Sequence, residues 1–417
     1  MQKLIIKGKK DLSGNISISG SKNATLPILA ACILANQVKL ENIPFVKDIF
    51  TMFELLKFIG LKVKIKNQKS IELKNENKNI NTLAPYKLVK TMRAGVLVLG
   101  PLLTKYNKAK VSLPGGCAIG SRPVNLHLFA LKKLGAKIKI KDGYIIAQAK
   151  SGLKGTKIKF PSISVGATEN AILAACGARG KTVLFNCAVE PEILNLISFL
   201  KKLGNEIDVL GRKIIVNSNK NVKQKINHKV IFDRIEAGTY LIAGVLIGKK
   251  ITLKHVDSKI LNNEIATLKK MGAKISTNKN SIFINKTTKL KKVNIATKPY
   301  PGFPTDLQAQ LMVLMTQATG VSKIRENIFE NRFMHVPELK RMGANIEVKD
   351  KTAFIFGPSK LTGAEVMATD LRASVSLVLA GLVADNRTIV NRIYHLDRGY
   401  ELIEKKLKIC KANIKRV

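Results

Sequence analysis

The sequence Lys270-Met271-Gly272-Ala273-Lys274-Ile275 decides the fold, because close variants of it recur along the chain. The other copies are Phe58-Ile59-Gly60-Leu61-Lys62-Val63, Lys133-Leu134-Gly135-Ala136-Lys137-Ile138, Lys202-Leu203-Gly204-Asn205-Glu206-Ile207, Arg341-Met342-Gly343-Ala344-Asn345-Ile346 and a decayed Ile409-Cys410-Lys411-Ala412-Asn413-Ile414. Glycine is the usual left-handed stop at a helix end. Each copy therefore predicts an amphipathic helix, a glycine stop and a short strand, six times in all.

A second pattern also occurs six times: a polar opening followed by a nearly all-apolar run. The openings are Ser21-Lys22-Asn23-Ala24, Thr91-Met92-Arg93-Ala94, Gly166-Ala167-Thr168-Glu169-Asn170, Asp233-Arg234-Ile235-Glu236-Ala237, Thr305-Asp306-Leu307-Gln308 and Asp370-Leu371-Arg372-Ala373. A run that is apolar all round predicts a helix buried on every side.

These six α+β repeats predict an α/β protein of two inside-out domains, each with three repeats, buried helices and outer sheets. We expect residues 1–21 and 230–417 to form one discontinuous domain and residues 22–229 the other. The first strand, at residues 4–6, should pair with the last repeat. We expect the active site in the cleft between the domains.

The composition argues against a nucleic-acid-binding function. The chain has 417 residues and a net charge of +44, but only 13 of its 72 basic residues are arginine. The lysines are scattered, aromatic residues are 5% and tryptophan is absent. A nucleic-acid site should instead cluster its charges among aromatic residues. We interpret the excess as a solvated lysine surface that helps to attract anionic substrates.

The chain shows no secretory signal and no apolar stretch long enough to span a bilayer. Its five cysteines form no C-x-x-C pair. We therefore expect a reduced, cytoplasmic protein. No phosphate-binding or dinucleotide-binding glycine motif is present, and the five histidines are isolated, so we expect no cofactor and no metal.

Cationic side chains lie at four of the six helix openings: Lys22, Arg93, Arg234 and Arg372. Helix N-termini carry partial positive charge and free N–H groups, so together they favour multiply charged anions. A structural alternative is that Arg234 pairs with Asp233 or Glu236, and that Arg372 pairs with Asp370. Lys22 and Arg93 have no acid close in sequence, which favours ligand binding there.

Asp306 and Cys117 are the candidate reactive groups. Asp306 either caps its helix or acts as a general base on a hydroxyl. Cys117 lies among Gly115, Gly116 and Gly120, with Arg122 nearby, which favours a reactive thiolate on a mobile loop. The alternative for Cys117 is a small buried apolar residue.

Seven motifs together resemble one family, from Lys7 to the C-terminus. They are Ser21-Lys22-Asn23-Ala24, Pro114-Gly115-Gly116-Cys117-Ala118-Ile119-Gly120, Arg122-Pro123-Val124, Asp233-Arg234-Ile235-Glu236, Phe303-Pro304-Thr305-Asp306, Glu330-Asn331-Arg332-Phe333-Met334-His335 and Asp397-Arg398-Gly399-Tyr400. The chain resembles the UDP-N-acetylglucosamine 1-carboxyvinyltransferase family of enolpyruvyl transferases, which opens peptidoglycan precursor synthesis.

The resemblance implies that the sugar 3-hydroxyl attacks C2 of phosphoenolpyruvate and that phosphate leaves. It implies catalytic roles for Cys117 (general acid or adduct), Asp306 (general base), Lys22 and Arg398. Phosphoenolpyruvate would be bound by Lys22, Asn23, Arg122 and Arg398. The sugar nucleotide would be bound by Asn23, Arg93, Arg122, Pro123, Val124, Asn125, Leu126, Ser162, Ile163, Ser164, Val165, Asp306 and Ile328. Arg234, Arg372 and Asp370 are secondary candidates. The implied partners are these two small molecules, with no nucleic acid, membrane insertion or obligate protein partner.

Three positions depart from the family pattern. Asn125 replaces an aspartate, Ser121 an alanine and Ser162 a lysine. Asparagine can still cap the following helix, but a charge near the nucleotide is lost. We expect altered nucleotide affinity and a retained reaction.

Three alternatives remain open. The first is the sister enolpyruvyl transferase acting on shikimate 3-phosphate, which lacks the cysteine loop. The second is an RNA-end-binding or processing protein, suggested by the charge and by the occurrence of this repeat fold in RNA-end cyclases. The third is an inactive homologue, which the intact set of Lys22, Cys117, Asp306 and Arg398 disfavours.

Overall fold

The computed structural model describes residues 2–67, 69–76, 80–115, 124–218 and 225–417. These residues form two compact units, with the chain passing from one to the other between Ser19 and Gly20 and again between Ile231 and Phe232. The terminal unit comprises residues 2–19 and 232–417. The central unit comprises the described residues between them. Each unit buries its own hydrophobic core.

Helices alternate with strands along the described chain. The α-helices are α1 (Lys22–Ala31), α2 (Lys47–Ile59), α3 (Tyr86–Val89), α4 (Leu99–Tyr106), α5 (Asn125–Lys133), α6 (Val165–Ala175), α7 (Pro191–Lys202), α8 (Arg234–Ile247), α9 (Asn262–Lys270), α10 (Gln308–Met315), α11 (Val336–Arg341), α12 (Leu371–Val383) and α13 (Ile403–Ile409). Short 3₁₀ helices lie at Cys32–Leu34, Arg93–Val98, Ser258–Leu261, Thr305–Leu307 and Ile393–Arg398.

The strands are short. They are β1 (Leu4–Lys7), β2 (Leu12–Ser17), β3 (Gln37–Glu41), β4 (Lys62–Asn67), β5 (Ser70–Lys74), β6 (Leu83–Ala84), β7 (Lys108–Ser112), β8 (Lys137–Lys141), β9 (Tyr144–Gln148), β10 (Lys157–Lys159), β11 (Lys181–Phe185), β12 (Glu206–Leu210), β13 (Lys213–Asn217), β14 (Lys225–Lys229), β15 (Gly248–Lys254), β16 (Lys274–Thr277), β17 (Ser281–Asn285), β18 (Asn294–Ala296), β19 (Gly320–Arg325), β20 (Asn345–Lys349), β21 (Thr352–Gly357), β22 (Glu365–Met367), β23 (Arg387–Asn391) and β24 (Asn413–Arg416).

Six four-stranded sheets confirm the sixfold repeat within the described residues. The terminal unit holds the sheets β22-β23-β1-β24, β16-β17-β15-β2 and β18-β19-β21-β20, and the central unit holds β10-β11-β13-β12, β14-β3-β5-β4 and β6-β7-β9-β8. Each sheet has one parallel and two antiparallel pairings. As expected, the first strand joins the last repeat: β1 pairs with both β23 and β24.

The six apolar runs form the buried helices, as the sequence predicts. Four begin directly as α-helices in which nearly every side chain is buried: α1, α6, α8 and α12. The runs opened by Arg93 and Thr305 differ from expectation, because each begins as a 3₁₀ turn before continuing into α4 or α10. Within each unit these helices pack on one another and the sheets cover them.

The outer helices end as predicted. The glycines at positions 60, 135, 204, 272 and 343 all have φ between 92° and 122°. In the decayed sixth copy, Lys411 takes the same left-handed region with φ 69°. The stop is therefore a property of the repeat geometry, and the sixth repeat keeps it without glycine.

Candidate functional site

In the terminal unit, Asp306 lies between two buried arginines. Its Oδ1 accepts a hydrogen bond from Arg332 Nη2 at 2.8 Å, and its Oδ2 accepts one from Arg372 Nη2 at 2.8 Å. The Arg332 and Arg372 side chains are 4% and 6% exposed, whereas the Asp306 side chain is 26% exposed. The carboxylate is thus held from the protein side and keeps an accessible face.

This arrangement corrects two expectations. Asp306 does not cap its helix, because the cap position is Pro304 and no side chain bonds there. Arg372 does not pair with Asp370, whose Oδ1 instead accepts from the backbone N–H groups of Arg372 and Ala373 and caps α12. Because the Asp370 carboxylate accepts from the free N–H groups of the helix end, the Arg372 side chain pairs with Asp306, which is 66 residues away in the sequence.

The electrostatics of Arg372 follow from burial beside acids. Burial alone would lower the pKa of this guanidinium, but the charge of Asp306, followed by Tyr400 and Asp233, outweighs burial and raises it. Arg372 is therefore a permanent cation. A buried permanent cation needs a fixed partner, and Asp306 supplies it.

Arg234 contacts an acid that lies far from it in the sequence. Asp233 caps α8 through the N–H groups of Ile235 and Glu236. The Arg234 guanidinium instead lies 3.9 Å from Glu264 and 5.6 Å from the centre of the Tyr300 ring.

Glu236 faces a different group of side chains. Its carboxylate accepts from Lys406 Nζ at 2.5 Å and from the backbone N–H of Ser19 at 2.7 Å. Glu236 is thus engaged by a lysine and by a backbone N–H group.

Arg398 ends the 3₁₀ helix Ile393–Arg398 and is half-buried. The preceding Asp397 is tied to the last strand, since its two oxygens accept from Arg416 Nη1 at 3.1 Å and Nη2 at 2.7 Å. Arg416 also bonds Glu404. This bidentate pair anchors the turn that carries Arg398.

In the central unit, Lys22 is the first residue of α1, and its Nζ lies 3.1 Å from Asp48 Oδ2. Both side chains are buried. The sequence placed no acid near Lys22, because Asp48 is 26 residues away in the first turn of α2. A cation at a helix N-terminus opposes the helix dipole by about 0.3–1 kcal/mol. The buried Asp48 carboxylate supplies the counter-charge that the helix dipole does not, and the anion-binding role of Lys22 stays a prediction. Asn23, the next residue, is half-buried.

Arg93 lies near a buried histidine. Burial, and then the charge of Arg93, lower the pKa of His127 to about 4, so its ring is neutral at pH 7. Asn170 Oδ1 accepts from Gly100 N, which makes the Asn170 Nδ2 a donor to His127 Nδ1 at 3.1 Å. The proton of His127 therefore resides on Nε2, which faces Gly166 at the start of α6.

Four other nucleotide candidates lie just before and at the start of α6, and Ile328 lies in the terminal unit. Ser162 is exposed, Ile163 is half-buried and Ser164 caps α6 by accepting from Ala167 N. Val165 and Ile328 are each 37% exposed.

The expected cap by Asn125 is wrong. Asn125 is already the first residue of α5, Val124 occupies the cap position and no side chain bonds there. Val124 is buried and Leu126 packs against the core as a partly buried side chain. The loss of charge at Asn125 is therefore not offset by a capping role.

Cys117, Ser121, Arg122 and Pro123 lie outside the described residues. The other four cysteines are buried free thiols. Burial raises the pKa of Cys187 to about 12 and that of Cys410 to about 11, and raises those of Cys32 and Cys176 further. None of these four is suited to act as a thiolate.

The described residues contain neither a metal-binding cluster nor a membrane-spanning helix. No group of three or more histidine, cysteine or acidic side chains could hold a metal ion. Every helix in this part of the chain is too short or too polar to cross a bilayer.

Sequence reasoning assigned no role to several residues that build these sites. Asp48, Arg332, His127 and Tyr400 each contact a predicted site residue or shape its charge. Arg332 and Tyr400 lie inside two of the family-like motifs, at residues 330–335 and 397–400, and this was the feature of the sequence that could have identified them. Asp48 and His127 lie in helices for which the hydrophobic pattern predicts only an amphipathic helix, so it gave no sign of their roles.

Comparison with known proteins decides the family. Residues 6–407 match the family model described as EPSP synthase (3-phosphoshikimate 1-carboxyvinyltransferase). The chain is 56% identical over 418 residues to the UDP-N-acetylglucosamine 1-carboxyvinyltransferase of Pelagibacter ubique, and 53% identical over 419 residues to that of Rickettsia akari. In both comparisons all of this chain and all of the relative are covered. The chain belongs to the UDP-N-acetylglucosamine 1-carboxyvinyltransferase family.

Solved structures agree with the fold of this family. The enolpyruvyl transferase NikO from Streptomyces tendae superposes with a TM-score of 0.89 at 24% identity, covering 100% of this chain and 99% of NikO. An EPSP synthase from Acinetobacter baumannii gives 0.77 at 16% identity, with the same coverage. These likenesses concern the fold alone. The resemblance drawn from the motifs to UDP-N-acetylglucosamine 1-carboxyvinyltransferases is confirmed by the full-length relatives.

Proposed function

We propose that the chain transfers the carboxyvinyl group of phosphoenolpyruvate to the 3-hydroxyl of UDP-N-acetylglucosamine and releases phosphate. The observation that carries this proposal is the 56% identity, over the whole length of both chains, to a transferase of that name. The reaction is the first committed step of peptidoglycan precursor synthesis.

The proposed chemistry is an addition followed by an elimination. The sugar 3-oxygen forms a bond to C2 of phosphoenolpyruvate, while the hydroxyl proton leaves and a proton is added to C3. A proton is then lost from C3, the bond from C2 to the phosphate oxygen breaks and inorganic phosphate departs. Each half of the reaction needs one acid and one base.

Asp306 is proposed as the base that takes the hydroxyl proton. Support comes from its geometry, because both carboxylate oxygens are fixed by arginines while a quarter of the side chain remains exposed. Fixed geometry is what a general base requires. Cys117 is proposed to protonate C3 or to form an adduct with phosphoenolpyruvate.

The cations are proposed to hold the two anionic substrates. Lys22, Asn23, Arg122 and Arg398 would bind phosphoenolpyruvate, the role that the family resemblance implies for them. Arg234 and Arg372 stay secondary candidates, and each contacts an acid within its own unit, as Lys22 contacts Asp48.

The sugar nucleotide is proposed to contact one further set of residues. These are Asn23, Arg93, Arg122, Pro123, Val124, Asn125, Leu126, Ser162, Ile163, Ser164, Val165, Asp306 and Ile328. The helix start at Ser164 supports this set, because the N-terminus of α6 favours negative charge.

We further propose that the protein works in the cytoplasm on these two small molecules, without nucleic acid, membrane insertion or an obligate protein partner. The scattered lysines support this, because a nucleic-acid site would cluster them.

The test is phosphate release from phosphoenolpyruvate, measured with and without UDP-N-acetylglucosamine. We expect release only with the sugar nucleotide, and severe loss in Cys117→Ser and Asp306→Ala. Near-normal turnover in both variants would remove the roles assigned to them. Mass spectrometry after fosfomycin treatment adds a second readout, since this epoxide alkylates the family's loop cysteine. Labelling of any peptide other than the one holding Cys117 would count against the assignment.

A further inference from the structure

A buried polar cluster lies behind the Asp306–Arg372 pair in the terminal unit. It consists of Thr239, Gln310, Arg372 and Tyr400, here called the Tyr400 cluster. Thr239 and Gln310 are fully buried, Tyr400 is 2% exposed and Arg372 is 5% exposed. Polar groups at this depth are usually hydrogen-bonded, so their pattern of donors and acceptors is informative.

The proton of the Tyr400 hydroxyl can be assigned from its neighbours. Thr239 Oγ1 donates its one proton to the backbone oxygen of Ile235 at 2.8 Å, within α8. Thr239 Oγ1 and Tyr400 Oη also lie 2.8 Å apart. Because Thr239 has no second proton to give, Tyr400 is the donor in this contact.

The remaining capacity of Tyr400 is taken by two donors. Its Oη accepts from Arg372 Nη1 at 3.2 Å and lies 3.3 Å from Gln310 Nε2. The two protons of Gln310 Nε2 are shared among Tyr400, Thr239 Oγ1 at 3.2 Å and the backbone oxygen of Asp306 at 2.9 Å. One donated and two accepted hydrogen bonds are all that a phenol hydroxyl makes. The Tyr400 hydroxyl therefore has one orientation.

Tyr400 is linked to Asp306 by two separate routes. The first route reaches the Asp306 carboxylate through Arg372, whose Nη2 donates to Asp306 Oδ2. The second route reaches the main chain through Gln310, whose Nε2 donates to the backbone oxygen of Asp306 at 2.9 Å. The Arg372 guanidinium also lies 5.7 Å from the centre of the Tyr400 ring. The Tyr400 hydroxyl thus contacts Arg372 on the side-chain route, and on the backbone route it shares Gln310 with Thr239.

We infer that Tyr400 is a positioning residue for the Asp306 carboxylate, acting through Arg372 and Gln310. This inference rests on the proposed function, in which Asp306 takes the proton of the sugar hydroxyl. A base must be held to within about 0.5 Å of its productive position, by groups that are themselves locked. A long arginine side chain has many rotamers, and the Tyr400 hydroxyl selects one of them.

The test compares Tyr400→Phe with Tyr240→Phe. Tyr240 is the neighbour of Thr239 on α8, is 1% exposed, and its hydroxyl has no hydrogen-bond partner among the described residues. The two variants lose the same atom from equally buried rings. We expect Tyr400→Phe to lower kcat roughly tenfold, with KM for both substrates within about twofold of the parent. Tyr240→Phe should match the parent in kcat and KM.

Further variants keep the inference falsifiable. If Tyr400→Phe does not fold, Thr239→Val keeps the ring and removes the acceptor of its proton, and should lower kcat by a smaller factor, again at unchanged KM. Equal kcat in the parent and in the folded variants would overturn the inference, as would equal losses in Tyr400→Phe and Tyr240→Phe.

The same assays include the parent and Asp306→Asn. Absence of turnover in the parent would overturn the proposed function itself. Parent turnover that is lost in Asp306→Asn but unchanged in Tyr400→Phe would overturn only the positioning role.

Discussion

Asp306 and Arg372, 66 residues apart, join one carboxylate oxygen to one buried guanidinium nitrogen at 2.8 Å. Arg332 holds the other oxygen of Asp306 at the same distance. One carboxylate therefore pairs with two buried cations and is also the proposed base. The stability of this region and the chemistry of the site depend on the same side chain.

The change Asp306→Asn separates charge from shape. Without the carboxylate, two buried arginines lose their counter-charge, and we expect the free energy of unfolding to fall by about 3 kcal/mol, as for a broken buried ion pair. We expect kcat to fall roughly 10²- to 10⁴-fold, the usual contribution of a general base. Urea denaturation and phosphate release measure the two effects.

The matched control for this prediction is Asp257→Asn. Asp257 is exposed and caps a 3₁₀ helix in the same unit, and asparagine caps equally well. The free energy of unfolding and the turnover of Asp257→Asn should match those of the parent. An Asp306→Asn variant as active as the control would exclude Asp306 as the base.

Lys22→Met tests anion binding by the central unit. Removing the ammonium group should lower kcat/KM for phosphoenolpyruvate roughly 10- to 100-fold, the worth of a charge-assisted hydrogen bond. The control is Lys57→Met, which removes an exposed lysine paired with Glu54 at 2.8 Å on α2. Exposed pairs contribute little. Steady-state kinetics with phosphoenolpyruvate as the varied substrate measures both variants. Equal values of kcat/KM in Lys22→Met and Lys57→Met would refute the role of Lys22.

The left-handed helix stops give a prediction about stability. Lys411 has φ 69°, where a side chain is disfavoured, so Lys411→Gly should stabilise the protein by about 0.5–1 kcal/mol. Gly135→Ala should destabilise it by about 1 kcal/mol. A Cβ at Gly135, with φ 97°, would meet no atom within 4 Å, so its cost is conformational. Loss of stability in Lys411→Gly, measured by urea denaturation, would contradict this explanation of the repeat.

His228 gives a prediction about pH. It lies on β14, neither ring nitrogen has a hydrogen-bond partner among the described residues, and burial, then the charge of Lys202, lower its pKa to about 4. As pH falls below about 6.5, the unfolded chain binds the proton first, so stability is lost until the folded pKa is reached. The full loss is about 3 kcal/mol.

His228→Leu should therefore become increasingly more stable than the parent between pH 6.5 and pH 4. Free energies of unfolding at several pH values in that window test this. A difference between the two proteins that stays constant with pH would show that His228 does not titrate as described.

The fold was predictable where local chemistry determines it. The glycine stops at positions such as 60 and 272 and the apolar runs of α8 and α12 use only short-range rules. These patterns predicted the sixfold repeat, the buried helices and the pairing of β1 with the last repeat. The 3₁₀ openings at Arg93 and Thr305 were not predicted, because hydrophobic periodicity does not distinguish the first turn of one helix type from another.

The partners of the charged residues were much less predictable. The sequence suggested Asp370 for Arg372, but the helix end claims Asp370 and a distant Asp306 pairs with the arginine. Lys22 lacked a nearby acid in sequence, yet Asp48 lies 3.1 Å away. Ion pairs depend on tertiary packing, and nearness along the chain is a poor guide to it. The resemblance supplied candidate roles, and the structure supplied the contacts around them.

The most direct measurement compares acceptors for the carboxyvinyl group. The purified chain would be given phosphoenolpyruvate with either UDP-N-acetylglucosamine or shikimate 3-phosphate, and the products identified by mass spectrometry alongside phosphate release. We predict that the sugar nucleotide gains a carboxyvinyl group in step with released phosphate, and that shikimate 3-phosphate is not modified. Modification of shikimate 3-phosphate in preference to the sugar nucleotide would contradict the account.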